Sequence, residues 1–268
     1  MRPMVGNRSG IVTLTTDFGT SDWYVGALRG SVLKRCLEGR LVDISHGIAP
    51  QDIAGAALVV RMACPEFPEG TVHLVVVDPG VGTQRDGVVV SAGGHLFVGP
   101  DNGVLVPAAE QLGVESIHRI DNPDLCAERI SRTFHGRDVF GPVAGFLAGG
   151  GAVGSVGPSL STLVPCPPEP AVEVTADAIV GQVVAIDRFG NLITNIERID
   201  ATAATVRVQA GEHVVHGLME TYGESGTKDL IALFGSSGRL ELALPNGSAA
   251  DMLPAEVGLL VVVQGGRS

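Results

Sequence analysis

The segment VVVDPGVGTQRDGVVV, residues 75–90, holds an aspartate, Asp78, and an arginine, Arg85, between two runs of valine. Strands apolar at nearly every position are buried on both faces, so their polar residues collect at the ends. Those ends form the rim where open α/β sheets place their ligands. A carboxylate and a guanidinium on such a rim can serve a ligand, or they can neutralise each other in an ion pair that closes the loop. Three further polar clusters interrupt apolar segments in the same manner: TTDFGTSD (15–22), RTFHGRDVF (132–140) and IDRFGNLITNI (186–196). Each sets an ionisable or amide group beside glycine, the residue that lets backbone approach a ligand closely. Taken singly, each also reads as a turn whose carboxylate is satisfied locally.

Such clusters need a scaffold, and the first half of the chain reads as strand and helix in alternation. GIVTLTTD (10–17) is a strand, SDWYVGALRGSVLKRCLEG (21–39) a helix with Ser21 as its N-cap, and RLVDIS (40–45) a second strand. Pro50 opens a second helix at its favoured first position, within APQDIAGAALVVRMACPEF (49–67), before TVHLVVVD (71–78) returns to the sheet. This order implies a mostly parallel sheet with right-handed crossovers. Strands at DGVVVSA, GHLFVG and VESIHRI and a helix over DVFGPVAGFLAGG complete an N-terminal α/β domain, 1–164. Pro165, Pro167, Pro168 and Pro170 leave an extended linker over 165–171. Beyond it, GQVVAID, TVRVQA, HVVHG, DLIALF, RLELAL and VGLLVVVQ predict a small all-β domain, barrel or sandwich, over 172–268.

Composition removes several function classes. The 268 residues carry a net charge of −11 and a pI near 5.0, with no basic stripe, which argues against a nucleic-acid partner. Mean hydropathy is +0.31, yet the run LLVVV (259–263) is far shorter than a membrane span, and the opening MRPMVGNRSG lacks a signal-peptide core. Cys36, Cys64, Cys126 and Cys166 show no CxxC or Cys/His ligand spacing, so neither a disulfide framework nor structural zinc is expected. A cytoplasmic location follows as the default. Gly149, Gly151 and Gly154 spell G-x-G-x-x-G, but the motif follows a helix pattern instead of a strand and reads as a glycine-rich helix exit. Gly26 and Gly30 read as close-packing positions of the first helix on the sheet. No G-x-S-x-G elbow and no Walker loop occurs. The seven histidines are scattered without a pair at metal-ligand spacing, and His73 and His95, inside strand patterns, read as structural hydrogen-bonding groups.

Taken together, TTDFG, VDPGVGT with Arg85, PDNG, FHGRDVF, DRFGN, FGSSGRLELA and NGSAA run in order along the whole chain. In this the sequence resembles the S-adenosyl-L-methionine (SAM) hydroxide adenosyltransferases, or SAM hydrolases, relatives of the SAM-dependent fluorinase and chlorinase. The resemblance implies an α/β domain followed by a small β-barrel domain, a homotrimer with active sites between subunits, and hydrolysis of SAM to adenosine and L-methionine without cofactor or metal. It also implies that Asp78, Arg85 and His135 hold the attacking water. A guanidinium favours hydroxide electrostatically, and a carboxylate or imidazole can orient water and take its proton. Which of Asp78 and His135 receives it stays open, while Arg85 cannot act as a base.

The substrate contacts implied by the resemblance spread over both domains. Asp17 would accept from the 2′ and 3′ ribose hydroxyls. Asp187, Asn191 and Ser236 would hold the methionine amine and carboxylate; Phe189 and Tyr222 would border the purine or ribose; and Leu244 and Asn246 would meet adenine through backbone. Two departures stand out: ALPNG (243–247) replaces the ARNA of the halogenases, and Gln51 replaces a fluorinase tryptophan beside the substrate. Halide-using members exchange the DPG aspartate for tyrosine and lose the FHGRD histidine, whereas this chain keeps Asp78 and His135. A buried carboxylate there would repel a halide. A non-catalytic SAM- or adenosine-binding module is the alternative from another class, but ligand binding alone does not require the water-holding residues.

Overall fold

A computed structural model describes residues 9–197, 205–224 and 229–265. Residues 1–8, on which most of the reading of the opening segment rests, lie outside the described residues. The chain forms two compact units, the first ending at Pro168 and the second beginning at Glu169.

In the first unit β1 (Ile11–Thr16), β2 (Arg40–Ser45), β3 (Val72–Val76), β4 (Gly87–Ala92), β5 (His95–Pro100) and β6 (Val114–Arg119) form one sheet in the order β2-β1-β3-β5-β4-β6. The first four in that order are parallel; β4 lies antiparallel between β5 and β6. Helices α1 (Tyr24–Leu33) and α4 (Gly141–Ala148) cover one face, and α2 (Ile53–Ala63) and α3 (Val106–Leu112) the other. This explains why the valine run has no polar side. Leu74 and Val76 join a core with Leu28 and Leu147, while Val75 and Val77 point into another with Ala56 and Val60. Asp78 is the first position beyond that double burial where a charge can stand.

Several element boundaries differ from the sequence expectation. Ser21 does not cap α1, which starts at Tyr24 with Trp23 in the cap position. The β1–α1 loop is first tied back to the segment after β2, Gly19 N–H donating to His46 O at 2.8 Å, and bends through Ser21 before helical register begins. Pro50 does not open α2 either. Gln51 has φ +68°, outside the right-handed helical region, so the helix begins at Ile53 with the Asp52 carboxylate accepting from Gly55 N at 2.8 Å. The helix expected from 138 starts instead as a π-helical turn, Gly136–Phe140, that runs into α4. Gly26 and Gly30 are not packed on the sheet, since a Cβ at either would meet nothing within 4 Å.

The second unit is antiparallel: β7 (Glu173–Val174), β8 (Ala178–Ile186), β9 (Leu192–Glu197), β10 (Arg207–Ala210), β11 (His213–His216), β12 (Ile231–Phe234), β13 (Arg239–Ala243) and β14 (Leu260–Gln264), with a short α5 (Ala249–Met252). The order is β11-β10-β14-β8-β9-β13-β12, with β7 on β8. Strand β8 changes partner along its length, pairing with β14 up to Gln182 and with β9 from Val183, which folds the sheet over its own core of Val183, Leu192, Leu240 and Val261. A bridge from Met219 to Leu233 brings the two ends of the strand order together, so the sheet is a nearly closed barrel. No disulfide joins Cys36, Cys64, Cys126 or Cys166. Among the described residues no helix is long and apolar enough to cross a membrane.

Candidate active site

Arg85 is the hub of a polar cluster at the end of β3. Its Nε donates to Asp78 Oδ1 at 2.8 Å, and its Nη2 donates to Asp78 Oδ2 and lies 2.8 Å from His135 Nδ1. The guanidinium stacks over Phe140, 5.0 Å from the ring centre, and both charged side chains are almost buried, 12% exposed for Arg85 and 5% for Asp78. A guanidinium can only donate, so His135 Nδ1 accepts, and in this arrangement the imidazole is neutral with its hydrogen on Nε2. Burial, and then the positive charge of Arg85, push the His135 imidazole below its ordinary value against the opposing pull of Asp78 and Asp138.

The loops that bring these groups together are tightly specified. Gly82 has φ +78°, and a Cβ there would stand 2.3 Å from the Arg132 carbonyl, so only glycine lets the DPGVGT loop lie against the segment that carries His135. That segment is closed by Asp138, which accepts from Ser131 N and Arg137 Nη2 at 2.8 Å and from Arg137 Nε at 2.6 Å. Burial opposes ionisation of Asp138, but these bonds outweigh it and hold the carboxyl below its usual range. The π-helical turn accommodates this wrap between His135 and α4.

Asp17, Gln51, Asp78 and His135 line one cavity of about 450 Å³. Asp17 Oδ2 accepts from Gln51 N at 2.8 Å, which is where the left-handed backbone of Gln51 points its N–H. Phe18, Trp23, Tyr24 and Phe134 supply the aromatic wall, with Phe134 ring centres 5.4–5.7 Å from the other three. Arg85 does not line the cavity and acts on it through Asp78 and His135. Flat π-faces of this kind suit a nucleobase or a sulfonium cation.

In the second unit, Asp187 organises its own turn: Oδ1 accepts from Phe189 N at 2.8 Å and Asn191 N at 2.9 Å, and Oδ2 accepts from Asn191 Nδ2 at 2.9 Å. Asn191 is buried, whereas Phe189 is 76% exposed. The turn rests on the NGSAA segment, since Gly190, at φ +80°, would place a Cβ 2.1 Å from Ser248 Oγ. Asn246, at φ +60°, and half-buried Leu244 therefore share this end of the barrel with Asp187. Tyr222 OH donates to Glu241 Oε2 at 2.7 Å, and Glu241 lies under Gly235, next to the exposed Ser236. Burial, then the Glu241 bond and charge, push the Tyr222 hydroxyl up to about 12.

With this geometry in place, similarity to known proteins decides the family. The family model for the SAM hydroxide adenosyltransferase N-terminal domain matches residues 12–157, and that for the C-terminal domain matches residues 181–262. The chain belongs to the SAM hydroxide adenosyltransferase family. A protein of Salinispora tropica named (R)-S-adenosyl-L-methionine hydrolase is 38% identical over 248 residues, covering 90% of this chain and 93% of the relative. A fluorinase of Actinoplanes sp. is more distant, 26% identical over 97% of this chain and 99% of its own. A crystal structure of an uncharacterized conserved protein from Thermotoga maritima superimposes with a TM-score of 0.87 at 34% identity, covering 95% of this chain and 99% of that one.

The structure of this family member also contains groups that sequence reasoning passed over. The aromatic wall is one: the single tryptophan and one of the two tyrosines stand side by side, five residues after Phe18, and that local concentration was a usable signal in a chain with 4% aromatics. Glu241 is another, an acid 6% exposed between Leu240 and Leu242 in the strand RLELA, with its carboxyl pushed up first by burial. Among the described residues no group of three or more His, Cys, Asp or Glu side chains is arranged to hold a metal ion.

Proposed function

We propose that the protein hydrolyses SAM to adenosine and L-methionine by in-line attack of water at C5′ of the adenosyl group. The observation that carries this reading is the Arg85 cluster, one guanidinium bonded to the Asp78 carboxylate and to a neutral His135 imidazole beside an aromatic-walled cavity. In the reaction the C5′–O bond forms as C5′–S breaks, the bonding pair goes to sulfur, and the sulfonium becomes the neutral thioether of methionine. The leaving group carries its own positive charge, so the reaction needs no acid behind it and no cofactor. The nucleophile needs the help. With Nδ1 occupied by Arg85, His135 offers its Nε2–H to the water oxygen, and Asp78 is the group with lone pairs left to take the proton. The positive charge of Arg85 favours the hydroxide as it develops.

Asp17 fits the ribose diol, since one of its oxygens is held by Gln51 while it lines the cavity. Family membership supports a homotrimer in which Asp187, Asn191 and Ser236 of one copy hold the methionine end of SAM bound to another, with Phe189, Tyr222, Leu244 and Asn246 bordering the adenosine. A cytoplasmic location goes with this reading, where SAM is available. The test is incubation of the purified protein with SAM in ¹⁸O water, with and without chloride or fluoride. Label is expected at the 5′ oxygen of adenosine; label in methionine, or a 5′-halogenated nucleoside at a comparable rate, overturns the assignment.

A further inference from the structure

Behind Asp17 runs a chain of polar side chains that touches no part of the cavity. Thr16, the fully buried last residue of β1, places Oγ1 2.8 Å from His46 Nδ1. His46, 6% exposed, places Nε2 3.2 Å from Asp43 Oδ1. The other Asp43 oxygen is paired with Arg29 of α1 at the surface. Thr16 and His46 are buried, where polar groups cost stability unless they are paired, while Asp43 and Arg29 stand at the surface.

Its bonds converge on the loop that carries Asp17. Phe18 N–H donates to the same Thr16 Oγ1 at 3.2 Å, and Gly19 N–H donates to His46 O at 2.8 Å. The backbone on both sides of Asp17 is thus anchored, while its carboxylate is fixed at one oxygen by Gln51 N–H. The directions are mutually consistent. Asp43, whose carboxyl is held low by Arg29 and His46 despite burial, is the charged neighbour of Nε2; with the ring hydrogen on that side, Nδ1 accepts from the Thr16 hydroxyl, whose oxygen accepts from Phe18 N–H. A carboxylate that must receive two adjacent hydroxyls gains most from such fixing, because a small rotation loses both bonds at once.

We propose that Thr16, His46, Asp43 and Arg29 form a positioning chain that sets the Asp17 carboxylate for the ribose diol, with His46 as its central positioning residue. The proposal rests on the reading of Asp17 as the ribose ligand, and the experiment separates the two. Steady-state constants are measured for SAM and for its 2′-deoxyadenosyl analogue in Asp17→Asn, Thr16→Val, Thr16→Ser, His46→Leu and Arg29→Met proteins. Thr16→Val and His46→Leu are expected to raise KM for SAM about fivefold to tenfold, the worth of one or two net hydrogen bonds, with kcat within about threefold. The preference for SAM over the deoxy analogue should fall with KM, Thr16→Ser should restore both, and Asp17→Asn combined with Thr16→Val should be no worse than Asp17→Asn alone. Arg29→Met, at the exposed end, keeps the test open if a buried variant does not fold, with a smaller shift of the same direction. A rise in KM that leaves the discrimination intact, or a parallel loss of kcat, shows a merely structural role and overturns the proposal. If Asp17→Asn itself changes neither KM nor discrimination, the ribose reading fails and the positioning chain falls with it.

Discussion

Replacing Asp78 by asparagine keeps the side-chain shape and removes the charge from the centre of the cluster. In the wild type the carboxylate receives Arg85 Nε at 2.8 Å and Arg85 Nη2 on its second oxygen, with 5% of the side chain exposed. An asparagine can accept from one of these donors, but its amide N–H₂ then faces the other. The lost charge-assisted bond costs about 1.5–3 kcal/mol of stability. For a domain of this size that lowers Tm by roughly 3–12 °C. On the proposed mechanism the kinetic loss is larger in kind, because the group assigned to take the proton of the attacking water is gone while the aromatic wall and Asp17 remain. General-base removal of this sort is worth about 10²–10⁴-fold in kcat. The assay is single-turnover formation of adenosine well below the variant's Tm, with Kd for SAM from calorimetry on the same preparation. We expect kcat to fall by at least about 10²-fold and Kd to change less than about threefold. A kcat within tenfold of wild type, or a Kd that rises in step with the loss of rate, would refute the assignment of Asp78 to the nucleophile.

Three further outcomes follow from particular groups. His135 is held below its ordinary value of 6.5, so kcat/KM should stay level as pH falls through 6.5 and decline only at lower pH, where protonation of Nδ1 breaks the Arg85 contact; an acid limb at or above 6.5 contradicts this. His73 is fully buried, and burial and then His95 lower its value from 6.5 to about 3, so the unfolded chain binds the proton first and stability is lost as pH falls from 6.5 towards 3. Urea titrations should show a slope of about 1.4 kcal/mol per pH unit in that window from this group, and His73→Gln should flatten it. Co-producing an Asp78→Ala chain with an Asn191→Ala chain should restore activity that neither variant has alone, if copies share their sites; inactive mixed assemblies, recovered through two different tags, exclude sharing.

The sequence by itself determined where chemistry could stand. Doubly buried strands push charge to their ends, and glycine marks where backbone comes close, so Asp17, Asp78, His135 and Asp187 were all visible as polar interruptions of apolar runs. The change from alternating strand and helix to short strands also told the α/β unit from the barrel, because the two periodicities are local properties of the chain. Local pattern could not say which groups meet. The Thr16–His46 contact spans 30 residues and exists because parallel β1 and β2 end on one rim, and the Arg85–His135 contact spans 50 because the loop after β3 packs at Gly82 against the segment that leads into the π-helical turn. The left-handed Gln51, which delays α2 and turns an N–H toward Asp17, is likewise a product of that meeting and not of helix propensity. Which nitrogen of His135 accepts, and therefore which side chain is left to take a proton, is decided by a hydrogen bond with direction, and direction is a property of tertiary structure alone.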